Sequence, residues 1–168
     1  MYLRKTTLDD VPRVLQIIDQ AAAYLAEQGL PQWQGEQKPS KERIIEDIER
    51  QESFVLIDEE DIVGTAALVA GIDPVYTAIA GNWEGREPYL SIHRVALDQN
   101  VRGKRLGKQL LEHLLTVAAC QGIKDVRIDT FPTNHPMEKT IYSAGFHYCG
   151  MIEFPFTHGE RKAYQKLL

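Results

Sequence analysis

The stretch Val95-Ala96-Leu97-Asp98-Gln99-Asn100-Val101-Arg102-Gly103-Lys104-Arg105-Leu106-Gly107-Lys108-Gln109-Leu110-Leu111 decides how this chain is read. An apolar, β-type run ends at Leu97. A polar turn follows, then a basic, glycine-containing bend, then a helix with an apolar stripe. A strand feeding a helix through such a bend aims several backbone N–H groups at one point, and the helix N-terminus adds about half a positive charge there. That is a site for a phosphate or pyrophosphate. Arg102, Lys104, Arg105 and Lys108 thicken the positive field around it.

Two known phosphate loops fail on spacing. The Walker loop needs four residues between its glycines and then Lys-Ser/Thr, whereas three separate Gly103 from Gly107 and Gln109 follows Lys108. The dinucleotide fingerprint needs three glycines, and two are present. A solvated basic helix start is the plain alternative. The segment Arg102-Gly103-Lys104-Arg105-Leu106-Gly107 closely resembles the Arg/Gln-x-x-Gly-x-Gly/Ala loop of the GNAT acetyltransferases, which grips the pyrophosphate of acetyl-CoA. Arg105 stands where that pattern has its first glycine, so the backbone there must be accessible to a residue with a side chain.

A second segment, Asp129-Thr130-Phe131-Pro132-Thr133-Asn134 followed by a short helix and Gly145-Phe146, resembles the same family in order and spacing. The resemblance covers roughly residues 90 to 150. It implies a mixed α/β fold, with a largely antiparallel β-sheet flanked by helices. It implies acetyl-CoA as cosubstrate, held by the backbone of Val95, Ala96 and Leu97 and by the loop from Arg102 through Leu106 and Gly107 to Lys108. Asn134 would contact the pantetheine arm.

Composition sets outer limits. The 168 residues make one ordinary domain, and an apolar content of 43% is normal for a soluble globular protein. A net charge of −5 does not favour nucleic acid or anionic membranes as partners. No stretch approaches the ~20 apolar residues of a membrane span. Residues 1–5 lack an apolar signal core, so no secretion is implied. Cys120 and Cys149 form no metal or redox motif and read as buried thiols in a reducing cytoplasm. The five histidines lack metal-ligand spacing, and no metal is expected. A homodimer is left open.

Periodicity supplies the elements. A first strand spans 2–6. Thr7 caps a helix whose Val11, Val14, Leu15, Ile18, Ala22 and Leu25 form one stripe, with Gly29 as its stop. Ser40 opens a second helix with Ile44, Ile45 and Ile48 inward. Strands over 53–57 and 62–70 flank an acidic turn. Residues 71–88 read as a long insertion. Then come a central strand over 89–97, a helix over 102–121, a strand over 125–130, a helix over 136–144, and strands over 146–152 and 163–168. The βαβαββ ending gives a mixed sheet with helices packed on it.

Acyl transfer to an amine needs a group that takes the amine proton and a donor for the developing oxyanion. A backbone N–H near Val95 is the family-like oxyanion donor. Asp129, at a strand end five residues before Asn134, is the first candidate base; a solvated strand-end carboxylate is the other reading. His93 is the second, and alternation places it on the face shared by Ser91, Val95 and Leu97. Many family members carry an acidic Tyr four residues before the Gly of Gly-Phe, but that slot here is Ile141. Tyr142 comes one residue later, turned by about 100°, and is a candidate acid or a packing residue. Trp33 and Trp83 lie in irregular segments and are candidate acceptor-pocket walls, with Glu84 and Glu87 able to hold a cation.

The expectation is an acetyl-CoA-dependent N-acetyltransferase acting on a primary amine of a small molecule or peptide. The alternative is a CoA-binding regulatory or scaffolding protein with little catalysis.

Overall fold

In the computed structural model, which describes residues 1–85, 88–101 and 105–168, alternation along β2 (Ser53–Asp58) sets the two faces of the sheet. Phe54 and Leu56 point into one apolar cluster, Val55 and Ile57 into another. Its neighbours are β1 (Tyr2–Lys5) and β3 (Asp61–Ala70), followed by β5 (Tyr89–Leu97), β6 (Asp125–Thr130), β8 (Glu160–Leu167), β7 (His147–Glu153) and the two-residue β4 (Ala80–Gly81). Among the described residues β5 and β6 pair in parallel and every other neighbouring pair is antiparallel.

Among the described residues five α-helices flank the sheet. On one face lie α1 (Val11–Glu27) and α2 (Lys41–Glu49). On the other lie α4 (Leu106–Cys120) and α5 (His135–Ser143). The one-turn α3 (Pro74–Thr77) starts at a proline, with the Asp73 carboxylate accepting from the Val75 N–H at 2.8 Å. The α1 stripe buries Val11, Val14, Ile17, Ile18, Ala22 and Leu25, while Leu15 is only partly covered. Each fully enclosed side chain, such as Ile17 or Ile18, stabilises the fold by about 1.5–3 kcal/mol. In α2, Ile44 and Ile48 are buried, Ile45 is half-buried, and Asp47 is buried beside them. Thr7 is the N-cap of the 3₁₀ turn Leu8–Asp10 that leads into α1, and its backbone N–H and hydroxyl donate to the Asp10 carboxylate at 2.8 and 2.9 Å. Cys149 is half-buried, but Cys120 is exposed at the end of α4, contrary to the expectation of two buried thiols. The segment read as an insertion contains α3 and β4. Among the described residues no helix is long and apolar enough to cross a membrane.

One irregularity shapes the site. Thr65 of β3 faces Ala96, and Ala67 faces His93, so β5 carries an extra residue across from that pair. Arg94 takes up the slack in a left-handed conformation, φ +55°. The alternation therefore changes phase. Leu90 and Ile92 point toward α4 and α5, as do Val95 and Leu97, while Ala96 packs with α1 and α2. His93 shares a face with Ser91 but not with Val95 or Leu97, which corrects the strict alternation expected from sequence.

Candidate active site

The pairing of β5 with β6 runs from Tyr89↔Asp125 to Ile92↔Ile128 and then stops. Both strands continue, β5 to Leu97 on β3 and β6 to Thr130 on β8, so they part as a wedge at their C-terminal ends. The β6-facing edge of β5 beyond Ile92 has no strand partner among the described residues. His93 to Leu97 border a cavity of about 1150 Å³ that opens where parallel strands present ligands. Bidentate hydrogen bonds from Arg94 Nε (2.6 Å) and Nη2 (2.9 Å) to Asp47 pin the bulge to α2. Burial pushes the Asp47 carboxyl up, against the downward pull of Arg94.

Asp129 and His93 come together across the wedge, with His93 Nδ1 3.8 Å from Asp129 Oδ2. The Tyr76 hydroxyl donates to the same oxygen at 2.7 Å, and Arg161 Nε lies 3.9 Å from Asp129 Oδ1. Burial raises the Asp129 carboxyl to about 6, although the Tyr76 hydrogen bond and the Arg161 charge pull it down and Asp73 adds to the rise. Burial, then the charges of Arg94 and Arg43, lower His93 to about 3. At neutral pH the imidazole is uncharged and a weak proton acceptor. The carboxylate is ionised and is more basic than an ordinary aspartate. Tyr76 is fully buried, and its hydroxyl is pushed well above the usual phenol range by burial and by Asp129. It therefore stays a donor. Sequence reading missed Tyr76 because it sits in a four-residue helix within a segment lacking periodicity.

A smaller hollow of about 540 Å³ adjoins the wedge at the start of α4, lined by Leu97, Arg105, Gly107, Lys108, Lys139 and Ser143 among others. Arg105 occupies the helix N-cap at φ 56°, ψ 26°. This left-handed geometry is the reason a glycine suits that slot. At Gly107 a Cβ would lie 2.9 Å from Thr140 Cγ2 and 3.4 Å from Leu97 Cδ1, so its absence lets α4, α5 and β5 converge beside the hollow. Leu106 is buried in the core, and Lys108 pairs with Glu112 at 3.4 Å. Arg102, Gly103 and Lys104 lie outside the described residues, as does Glu87. Asn134 caps α5, accepting from the Met137 N–H at 3.3 Å and donating to Gln32 Oε1 at 3.1 Å. Val95, Ala96 and Asn134 all border the large cavity, as does Trp33, which stands at φ +62°.

Three expected site residues face elsewhere. Tyr142 is half-exposed, its ring edge-on to Tyr164 at 5.5 Å and 90°. The cavity-lining side of α5 carries Pro136, Met137 and Thr140 instead. The one-residue displacement thus turns Tyr142 toward β8, while Ile141 enters the core. Trp83 supports Tyr76 rather than walling the cavity. Its Nε1 donates to the Tyr76 carbonyl at 2.8 Å, its ring lies 5.5 Å from the tyrosine ring, and Arg127 packs over it at 4.4 Å. Glu84 is mostly exposed and 3.7 Å from His147, outside the cavity lining. Among the described residues no cluster of three or more His, Cys, Asp or Glu is placed to hold a metal.

Residues 18–146 match the model of the acetyltransferase (GNAT) family. A GNAT-family acetyltransferase structure from Streptococcus agalactiae is 31% identical and superposes with a TM-score of 0.89, covering 99% of this chain and 94% of that one. One from Listeria monocytogenes is 20% identical, TM-score 0.77, over 99% and 94% of the two chains. AAC(6')-Ib, solved in complex with ribostamycin and coenzyme A, is 19% identical, TM-score 0.73, over 99% and 92%. No curated protein sequence gives a significant match.

Proposed function

Because this chain belongs to the GNAT acetyltransferase family, we propose that it moves an acetyl group from acetyl-CoA to a primary amine by direct attack, with Asp129 as the base. The observation that carries the reading is the parting of β5 from β6, with a buried, elevated carboxylate on the wall of the resulting wedge. The wedge and its adjoining hollow fit the donor. An unpaired strand edge can hydrogen-bond an amide-rich arm. The α4 N-terminus with Arg105 and Lys108 suits a pyrophosphate, and the loop residues Arg102, Gly103 and Lys104 belong to the same proposal. Val95, Ala96 and Leu97 supply the strand edge, and Asn134 borders it.

Acetyl-CoA, when bound, supplies an activated thioester. The chain's own residues do the rest. Transfer forms one C–N bond, breaks the C–S bond and releases one proton from the amine. Asp129 takes that proton, directly or through water. Tyr76 holds the carboxylate oriented through Oδ2, and His93 stays neutral alongside. A backbone N–H of the open β5 edge near Val95 serves the developing oxyanion. No side-chain acid is assigned to the departing sulfur. A thiol has a pKa of about 8.5, so the thiolate leaves near neutral pH without a dedicated donor. Trp33 walls the acceptor side.

The test is CoA release from acetyl-CoA in the presence of a panel of primary amines, with the acetylated product identified by mass. Tight acetyl-CoA binding without transfer to any amine would favour a CoA-binding regulatory protein instead.

A further inference from the structure

The acceptor end of the cavity holds a buried cation beside the buried anion. Arg161 is 5% exposed yet reaches the cavity wall. Its guanidinium is fixed from behind, with Nη1 donating to the His158 and Glu160 carbonyls, both at 2.7 Å. The rings of Phe131, Phe154 and Phe156 surround it at 5.4, 5.8 and 5.7 Å. Its Nε stands 3.9 Å from Asp129 Oδ1, beyond hydrogen-bond length. An arginine and an aspartate meant only for each other would close into a two-pronged contact, as Arg94 and Asp47 do. Here the carbonyls hold the guanidinium back, and the two opposite charges stand side by side on the wall.

From this juxtaposition, and resting on the acetyl-transfer reading above, we infer that the acceptor is a free α-amino acid, its carboxylate taken by Arg161 and its amine by Asp129. An α-amino acid carries its ammonium and carboxylate on one carbon, about as far apart as these two side chains. The amine then sits against the group that removes its proton. The side chain extends toward Trp33, Phe154 and Phe156, which border the same cavity and favour an apolar residue. Phe154 and Phe156 are stacked, 5.5 Å apart at 13°. Burial lowers the Arg161 guanidinium from its ordinary value, against the upward pull of Asp129 and Glu160, so its charge is incompletely solvated.

The experiment compares leucine with leucinamide, and phenylalanine with phenylalaninamide, as acceptors for the wild-type protein at saturating acetyl-CoA. The amides have the less basic amine, so more of it is neutral and ready to attack. A preference for the acids therefore isolates the carboxylate. At least tenfold higher kcat/KM for each acid over its amide is expected. In Arg161→Lys and Arg161→Gln that ratio should fall toward one. The ratio is the readout because Arg161 also biases Asp129, which affects every acceptor alike. 4-Methylpentanoate, which has the carboxylate and no amine, should compete with leucine in the wild type, so the inference stays testable if the variants misfold. Equal or better use of the amides, or no competition by 4-methylpentanoate, would overturn the carboxylate site and leave acetyl transfer standing. Transfer to none of the four acceptors, with transfer to simple amines intact, would also overturn it. Transfer to no amine at all would remove the underlying reading and the inference with it.

Discussion

The Tyr76 hydroxyl donates a 2.7 Å hydrogen bond to Asp129 Oδ2, joining a one-turn helix to the end of a central strand. The bond favours the ionised carboxylate, whereas burial opposes it. Losing it should make Asp129 easier to protonate. A hydrogen bond to a charged group contributes about 1.5–3 kcal/mol, so in Tyr76→Phe the acidic limb of kcat/KM, expected near pH 6 in the wild type, should move up by about one to two pH units. Activity well above that limb should recover most of its wild-type value. A variant with uniformly lower activity and an unmoved limb would reduce Tyr76 to a packing residue.

Asp129→Asn should separate activity from stability. Removing the base should slow the chemical step by about 10²- to 10⁴-fold. The folded-state carboxyl is raised from 3.8 to about 6, so the native state binds its proton more tightly than the unfolded chain does. Stability therefore falls as pH rises through that window, and the full penalty applies above pH 6. Asparagine carries no such penalty, so the variant should be more stable than wild type at pH 7–8, by up to about 3 kcal/mol, with the advantage vanishing near pH 4. Denaturant melts at the two pH values make the measurement. An Asp129→Asn protein less stable than wild type at pH 8 would contradict the burial argument.

What the sequence made legible, and what it hid, divides along physical lines. β5 and β6 are found over the residues expected for them, because Leu90 and Ile92 in one and Val126 and Ile128 in the other recur at the strand period of two. The helix expected from residue 102 begins at Leu106, because Arg105 stands in a left-handed conformation outside it, and the capping of α5 by Asn134 was not read either. The bulge at Arg94 was not legible. No glycine marks it, and its left-handed backbone is held by Asp47, far away in the chain. Arg161 and Tyr76 were hidden too. Their meaning comes from sheet order, which brings β8 and α3 to the end of β6. The expectation for Tyr142 was weakest because a helical wheel fixes direction only relative to its neighbours, and Ile141 proved to be the inward one.

Arg105→Gly tests the α4 N-cap. An L-residue in the left-handed region carries about 1–2 kcal/mol of strain, partly offset in glycine by greater freedom in the unfolded chain. The variant should gain up to about 1 kcal/mol, a rise in Tm of about 2–4 °C. It should also bind CoA several-fold more weakly, because a cation at the hollow is lost, and the loss should shrink as salt rises. Unchanged affinity at low salt would place Arg105 outside the pyrophosphate site.

Gly107→Val should act mainly on the donor. Its Cβ would press on Thr140 and Leu97 at the junction of the two cavities, and its methyls would project further. CoA affinity should fall by at least tenfold in calorimetry while the circular dichroism spectrum stays close to wild type. A folded variant with wild-type affinity would remove the α4 start from the binding site.

Tyr142→Phe distinguishes an acid from a surface aromatic. The ring sits edge-on to Tyr164, whose own hydroxyl donates to Glu138 at 2.7 Å, and it does not border the wedge. Phenylalanine keeps that edge contact and removes only a half-exposed hydroxyl. Single-turnover transfer should therefore proceed within about twofold of wild type, against the 10²- to 10⁴-fold loss that removal of a general acid typically brings. Stability should change by less than about 1 kcal/mol. A rate loss above a hundredfold in a variant that binds acetyl-CoA normally would mean that α5 turns during the reaction to bring Tyr142 over the sulfur.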